Sequence, residues 1–376
     1  MFIINEKIIF KKFLTENTYF FLLASLSMSF IVWVIQAVNH LDIVSEDGHS
    51  FLIYFYYMLL NLPKVFGKIL PTMFFTSLFY TLIKYENNNE LKVFWMNGIN
   101  KIKFYNVILR YTLVFFVIQI LLSSLLTPYL LNKARTHIKD STLDFFPSLF
   151  QEKKFIDTVD KLTIFIESKN SQNQFKNVYL KDETNDFPRI IFAKKGELLQ
   201  TDKTRILRLW EGQFININEK KATTFNFVKT DFNLSKFLTK TITHRKLQET
   251  NIVTLVTCII NFSFLKNTLL KNKDTLCNKD SINETTQEVY NRIFKPLYLF
   301  LLAAIACFLL VGNYENNNFK RLKSFVFILG VVTVFVSEIS VNYSGVGSLN
   351  LIITSLFPLI IFFIIYIFFL KKFPTN

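Results

Sequence analysis

Six apolar runs, three before and three after a long polar stretch, constrain this chain more than any other feature. They lie at about residues 19–38, 65–83, 107–127, 293–312, 324–342 and 349–370. Each approaches the length a helix needs to cross about 30 Å of hydrocarbon. Hydrophobic residues make up 51% of the chain, with 44 Phe against 9 Gly. That is too apolar for an ordinary soluble domain. The first run reads as a span and not as a cleaved signal, because its apolar core is long and no small-residue cleavage site follows. Residues 1–18 mix Ile8, Ile9, Phe13 and Leu14 with Lys7, Lys11 and Lys12, which suits a helix lying at the membrane surface. Pro63, just before the second run, is expected to break or kink its helix. Pro128 closes the third run.

The net charge of +15 does not point to nucleic acid, because the basic residues sit at the ends of the apolar runs. Lys84, Lys92, Lys101, Lys103 and Arg110 surround the loop between the second and third runs. Lys320, Arg321 and Lys323 fill the loop after the fourth, and Lys371 and Lys372 the tail. The loop NHLDIVSEDGHS carries Asp42, Glu46 and Asp47 and no Lys or Arg. A seventh apolar run, residues 252–264, is short for a span. Counting it would place the basic N-terminus and the basic loop at 320–323 on opposite sides. Six spans put every basic short segment on one side, so the positive-inside bias selects six, with both termini cytoplasmic.

The polar stretch, about 129–292, reads as strands in its middle. In KLTIFIES, Leu162, Ile164 and Ile166 alternate with Thr163, Phe165 and Glu167. FKNVYL, RIIFA, ILRLW, QFINI and TTFNFV follow at close spacing, which argues for a sandwich or jellyroll. Leu162, Ile164 and Ile166 are its expected inward face. The expected fold is therefore a helical membrane protein with six transmembrane helices, 3+3, and an inserted periplasmic all-β, jellyroll-like domain. Its divisions are residues 1–128, 129–292 and 293–376.

The loop KYENNNELKVFWMNGINKIK, between the second and third spans, carries a short helix at about 87–98. Asn87 and Glu90 have capping-box spacing, Leu91, Phe94 and Trp95 share a face, and Gly98 permits a stop. Such a helix suits either the docking of a soluble motor or an ordinary interfacial loop.

Ionisable groups near lipid are the other candidates. Lys64 and Lys68, four apart, share a helix face near the outer end of the second span. They either bind lipid phosphates or snorkel to the interface. Glu338, near the outer end of the fifth span, either pairs with a second-span lysine or faces water. Glu288 and Arg292 have the spacing of a helix ion pair. Cys258, Cys277 and Cys307 lack metal-ligand spacing. The first two, Cys258 and Cys277, are candidates for a disulfide. No nucleophile–base pair, carboxylate dyad, metal cluster or phosphate-cradling Gly-rich loop appears, so the expectation is a chain without catalytic residues, cofactor or metal. A membrane-anchored β-domain that scaffolds envelope proteins and transports nothing is the alternative to a transport subunit.

The whole pattern resembles the LptF/LptG permeases of the lipopolysaccharide exporter. The resemblance rests on WVIQAVNHLDIVSEDG, on LPKVFGKILPTMFFTSLFYTLIKYENNNELKVFWMNGI, on FIES with FKNVYL, and on EVYNRIFKPLY. Gln36 and the Asp42-to-Gly48 region are more similar to the F-type. In the loop, Glu90, Leu91 and Gly98 match the family's acidic–apolar–Gly pattern, while Trp95, Met96 and Asn97 depart from it. The resemblance implies an inner-membrane permease working with an LptG-like paralogue, an LptB-like ATPase dimer and an LptC-like jellyroll protein. It implies lipopolysaccharide as cargo; the helix with Glu90, Leu91, Phe94, Trp95 and Gly98 is then the expected coupling helix, and Lys64 and Lys68, placed by their position near lipid, are the expected phosphate contacts. Glu338 and Arg292 are then polar partners near the membrane.

Overall fold

The computed structural model describes residues 6–45, 50–149, 151–159, 161–170, 174–183, 188–200, 205–218, 221–234, 246–264, 281–312 and 318–373. The chain forms helices α1 (Glu6–Asn39), α2 (Asp42–Ser45), α3 (Phe51–Asn87), α4 (Glu90–Met96), α5 (Lys101–Leu121) and α6 (Thr127–Leu149). Strands β1 (Phe155–Val159), β2 (Leu162–Lys169), β3 (Gln174–Asp182), β4 (Arg189–Gln200), β5 (Arg205–Asn218) and β6 (Lys221–Asn233) follow. Then come α7 (Ile252–Phe264), α8 (Ile282–Ile293), α9 (Tyr298–Ala306), α10 (Asn318–Ser344) and α11 (Ser348–Lys372). Two compact units result: Met1–Val34, Asn61–Leu131 and Lys246–Asn376 form one, Ile35–Leu60 and Asn132–Arg245 the other.

Among the described residues, six helical stretches are long and apolar enough to cross a membrane: Glu6–Val44, Phe51–Asn87, Lys101–Ile138, Ile282–Val311, Phe319–Ser344 and Leu349–Lys372. The 13-residue α7 is not one of them. Several boundaries differ from expectation. The surface helix and first span are one helix, α1. Pro63 and Pro71 both lie inside a continuous α3. A proline removes one donor and crowds the preceding turn, but packing in a long apolar helix can outweigh that cost. Pro128 does not end its helix either. A π-turn over Leu122–Leu126 joins α5 to α6 and takes up the irregularity just before it.

The first unit's core joins Phe13 and Phe21 of α1, Phe74 and Leu78 of α3, Phe104 and Ile108 of α5 and nearly all of α9. One buried amide in it is paired with hydroxyls of two other helices. Asn17 accepts from Ser77 at 2.8 Å and Thr81 at 3.1 Å, and donates to the Tyr111 hydroxyl at 3.1 Å. This ties α1, α3 and α5 together where water is excluded.

The six strands form one antiparallel sheet in which each strand pairs with the next. It is a meander, without a Greek-key crossover among the described strands. Leu162, Ile164 and Ile166 of β2 are buried, as their alternation predicts. The alternation then slips along one line. β3 buries Phe175 and next Val178 and Leu180, so Lys176 and Asn177 both face outward. β4 does the same around Lys194 and Lys195. Asn177 and Glu211 adopt positive φ, 49° and 51°. Asn177, Lys194 and Glu211 stand opposite one another, where the strand pairing skips. The result is a crease across the sheet, with the apolar face kept on one side of it. The buried cluster joins β2 to β5 and Leu234, with no helix side chain among the described residues. A sheet covers such a face by curving over itself, and the crease supplies the bend. Across β5 and β6, the Arg208 guanidinium grips both oxygens of Asp231, at 2.8 and 3.0 Å, and holds that carboxyl below its ordinary range.

Close approach of α10 to α3 depends on Gly330. A Cβ there would lie 1.9 Å from the ring of Phe75, which is buried. Gly330→Ala should destabilise the protein by about 1–3 kcal/mol through overpacking. Its melting temperature in detergent should fall, and Gly330→Ala should lower it less in a Phe75→Ala background, where the ring it meets is gone. An unchanged melting temperature for the single variant would contradict this packing.

Candidate functional site

Three places gather the residues that the sequence singles out. The first is a cleft of about 70 Å³ lined by Lys64 and Lys68 of α3, Gln119 of α5, Glu288 and Arg292 of α8, and Lys295. Arg292 is only 2% exposed. Its Nε donates to Glu288 at 2.8 Å, Nη1 to the Thr250 carbonyl at 2.8 Å and Nη2 to the Leu247 carbonyl at 3.2 Å. The expected helix ion pair is therefore present, but as part of a buried clamp. It fastens the Leu247–Glu249 turn to α8, while Ser123 donates to the Arg292 carbonyl at 3.1 Å. Lys295 donates to Glu338 at 2.6 Å. Glu338 thus has its partner in the segment before α9, and not in the second span as one expectation had it.

These pairs leave two cations over. Among the described residues, neither Lys64, half-buried, nor Lys68 has a hydrogen bond or ion pair. They are one turn apart on α3, so their charges repel. Gln119 adds an acceptor: its Nε2 donates to the Gly67 carbonyl at 2.9 Å, while its buried Oε1 has no partner. The two ammonium groups suit an anion such as a phosphate ester, whose oxygens accept from them, and the Gln119 oxygen is open to a hydroxyl beside it. The clamp's two carbonyl partners and the Lys295–Glu338 pair escaped the sequence reading, since each joins residues tens of positions apart.

The second place is α4. The Asn87 cap is not formed, because α3 runs through Asn87. Asn89, at φ 59°, occupies the N-cap without a side-chain bond. Gly98, at φ 80°, does end the helix, its N–H donating to the Trp95 carbonyl at 3.1 Å. Leu91 and Phe94 are buried in this chain's own core, and Trp95 packs edge-on against Phe104 at 5.8 Å. They face inward. The outward side chains are Val93, 49% exposed, and Met96, 85% exposed. Spacing identified one helix face correctly but not which neighbour it meets. Glu90 sits 3.4 Å from Lys12 of α1 and accepts from Asn88.

The third place is the buried face of the sheet, with Leu162, Ile164 and Ile166 at its centre. Among the described residues no His, Cys, Asp and Glu group can hold a metal. Cys258 is disulfide-bonded and Cys307 is free and buried; Cys277 lies outside the described residues.

The clamp makes a direct prediction. Arg292→Met leaves Glu288 and two carbonyls without their donor, a loss of about 3–5 kcal/mol for a broken buried pair. Arg292→Lys keeps the charge but loses the three-way fork, so its loss should be smaller. Thermal unfolding in detergent should rank the native protein above Lys and Lys above Met. A Met variant melting with the native protein would refute the clamp.

Comparison with known proteins agrees with this layout. An uncharacterized protein of Rickettsia prowazekii (strain Madrid E), RP871, is 22% identical over 351 residues, covering 92% of each chain. A family model described as "Lipopolysaccharide export system permease LptF/LptG" matches residues 11–372. The chain belongs to the LptF/LptG family of lipopolysaccharide export permeases.

Proposed function

We propose that this chain is one permease subunit of an inner-membrane ABC exporter that takes lipopolysaccharide out of the bilayer and hands it to a β-jellyroll bridge. A separate ATPase dimer hydrolyses ATP, a paralogous permease completes the membrane part, and a membrane-anchored jellyroll protein continues the bridge. The β-domain works on the periplasmic side and both termini are cytoplasmic, a reading supported by the one-sided placement of basic loop residues.

The observation that carries the proposal is the Lys64–Lys68 couple, unpaired among the described residues in a cleft whose other lining cations, Arg292 and Lys295, are engaged. Lipid A carries phosphates, and an ammonium pair recognises phosphate as two point charges. The buried face of the creased sheet offers acyl chains an apolar surface out of water. At α4, Val93 and Met96 present adaptable apolar surface to the ATPase, and Leu91 and Phe94 hold the helix in place from beneath.

Reconstitution with the partner proteins tests this. Lys64→Glu with Lys68→Glu should lower ATP-driven lipopolysaccharide release at least tenfold, with ATPase binding intact. Val93→Asp with Met96→Asp should instead lose bound ATPase while the permease keeps its melting temperature. Phe94→Ala should lower the melting temperature itself. Full release by the lysine double variant would remove the cleft from the transport path.

A further inference from the structure

The face of the sheet opposite its buried core carries one cross-strand row. Phe155 of β1 stands opposite Phe165 of β2, Phe165 opposite Tyr179 of β3, and Tyr179 opposite Phe192 of β4. The row continues through Gln213 of β5 to Asn226 of β6. Ring centroids are 4.6 Å apart for Phe155 and Phe165, and 5.1 Å for Tyr179 and Phe192. Phe155 is 68% exposed and Phe192 41%. A cavity of about 950 Å³ lies over this row, in the size range of small-molecule sites.

We propose that this row is a saccharide-binding platform: four aromatic rings that stack on sugar faces, followed by two amides that bond their hydroxyls. The chemistry of the rim selects this ligand. Gln213 and Asn226 each offer an acceptor and two donors in one plane, the complement of neighbouring hydroxyls. The charges beside them cancel, since Lys194 lies 3.4 Å from Glu211 across β4 and β5. The site therefore favours a neutral polyhydroxylated chain over a phosphate or a basic peptide. An acyl chain is a poorer match, because the amides and the ion pair would lose water without gaining partners. Aromatic side chains meet the same need at lower cost, since a pyranose ring has an apolar face of C–H groups above and a polar edge around it. A six-strand row also matches an extended ligand, because neighbouring strands are spaced about 4.8 Å apart and a hexose repeat is of similar length. This inference does not rest on the transport reading, which uses the opposite face of the sheet.

The test uses the full chain in lipid nanodiscs, free of sugar detergents. Saturation-transfer NMR is recorded with a panel of neutral tetra- to hexasaccharides of glucose, galactose, mannose, heptose and N-acetylglucosamine. At least one should receive saturation at its ring C–H protons. Tyr179→Ala with Phe192→Ala should reduce that transfer at least fivefold, and Gln213→Ala should weaken it without changing the circular dichroism. Tyr179→Phe, which keeps the ring, should retain most of the signal. Absence of transfer to every saccharide would overturn the proposal. Equal transfer with the double variant would also overturn it. Displacement of bound sugar by a decyl chain lacking any sugar would assign the face to lipid instead, and co-purification of a protein protected over these rings with no sugar signal would assign it to a partner.

Discussion

Low-dielectric surroundings give every charge near the membrane half a choice between a partner and a use, and the structure follows from how each is resolved. Arg292 is almost wholly buried, and its three donors meet a carboxylate and two carbonyls. Lys295 has Glu338. Asn17, fully buried, has its amide satisfied by hydroxyls from two other helices. Against this background the unpaired Lys64 and Lys68 stand out. Lysines of an apolar helix end can snorkel, but these two line a cleft shared with α5 and α8, beside the unpaired oxygen of Gln119.

The inserted domain solves a different problem. A single sheet has to bury one face without a second layer. Here the polar pairs Lys176–Asn177 and Lys194–Lys195 interrupt the apolar alternation at matching places in neighbouring strands. Positive φ at Asn177 and Glu211 turns that interruption into a crease. The same bend that protects the inner face leaves the aromatic row of the outer face in the open.

Much of this was legible in the sequence because its signals are local. Run length gives six spans, and period-two alternation in KLTIFIES gives the buried Leu162, Ile164 and Ile166. Gly98 ends α4 as its conformational freedom suggests. Where the decision belongs to tertiary packing, the sequence misleads. Pro63 reads as a break or a kink, and α3 runs through it without a break. Asn87 reads as a cap, yet the preceding helix claims it. Leu91 and Phe94 make an apolar face that suits a partner or the chain's own core equally, and the core took it. The crease is visible as a slipped alternation, but only once the strands are aligned against each other.

The central claim is that lipid rides on the buried face of the creased sheet, and photo-crosslinking inside the assembled exporter tests it most directly. A crosslinker at position 164 should capture lipopolysaccharide only when the ATPase is supplied with ATP, and one at the neighbouring position 163 should capture far less. Equal capture at the two positions, or capture at 164 that ignores ATP, would contradict the account.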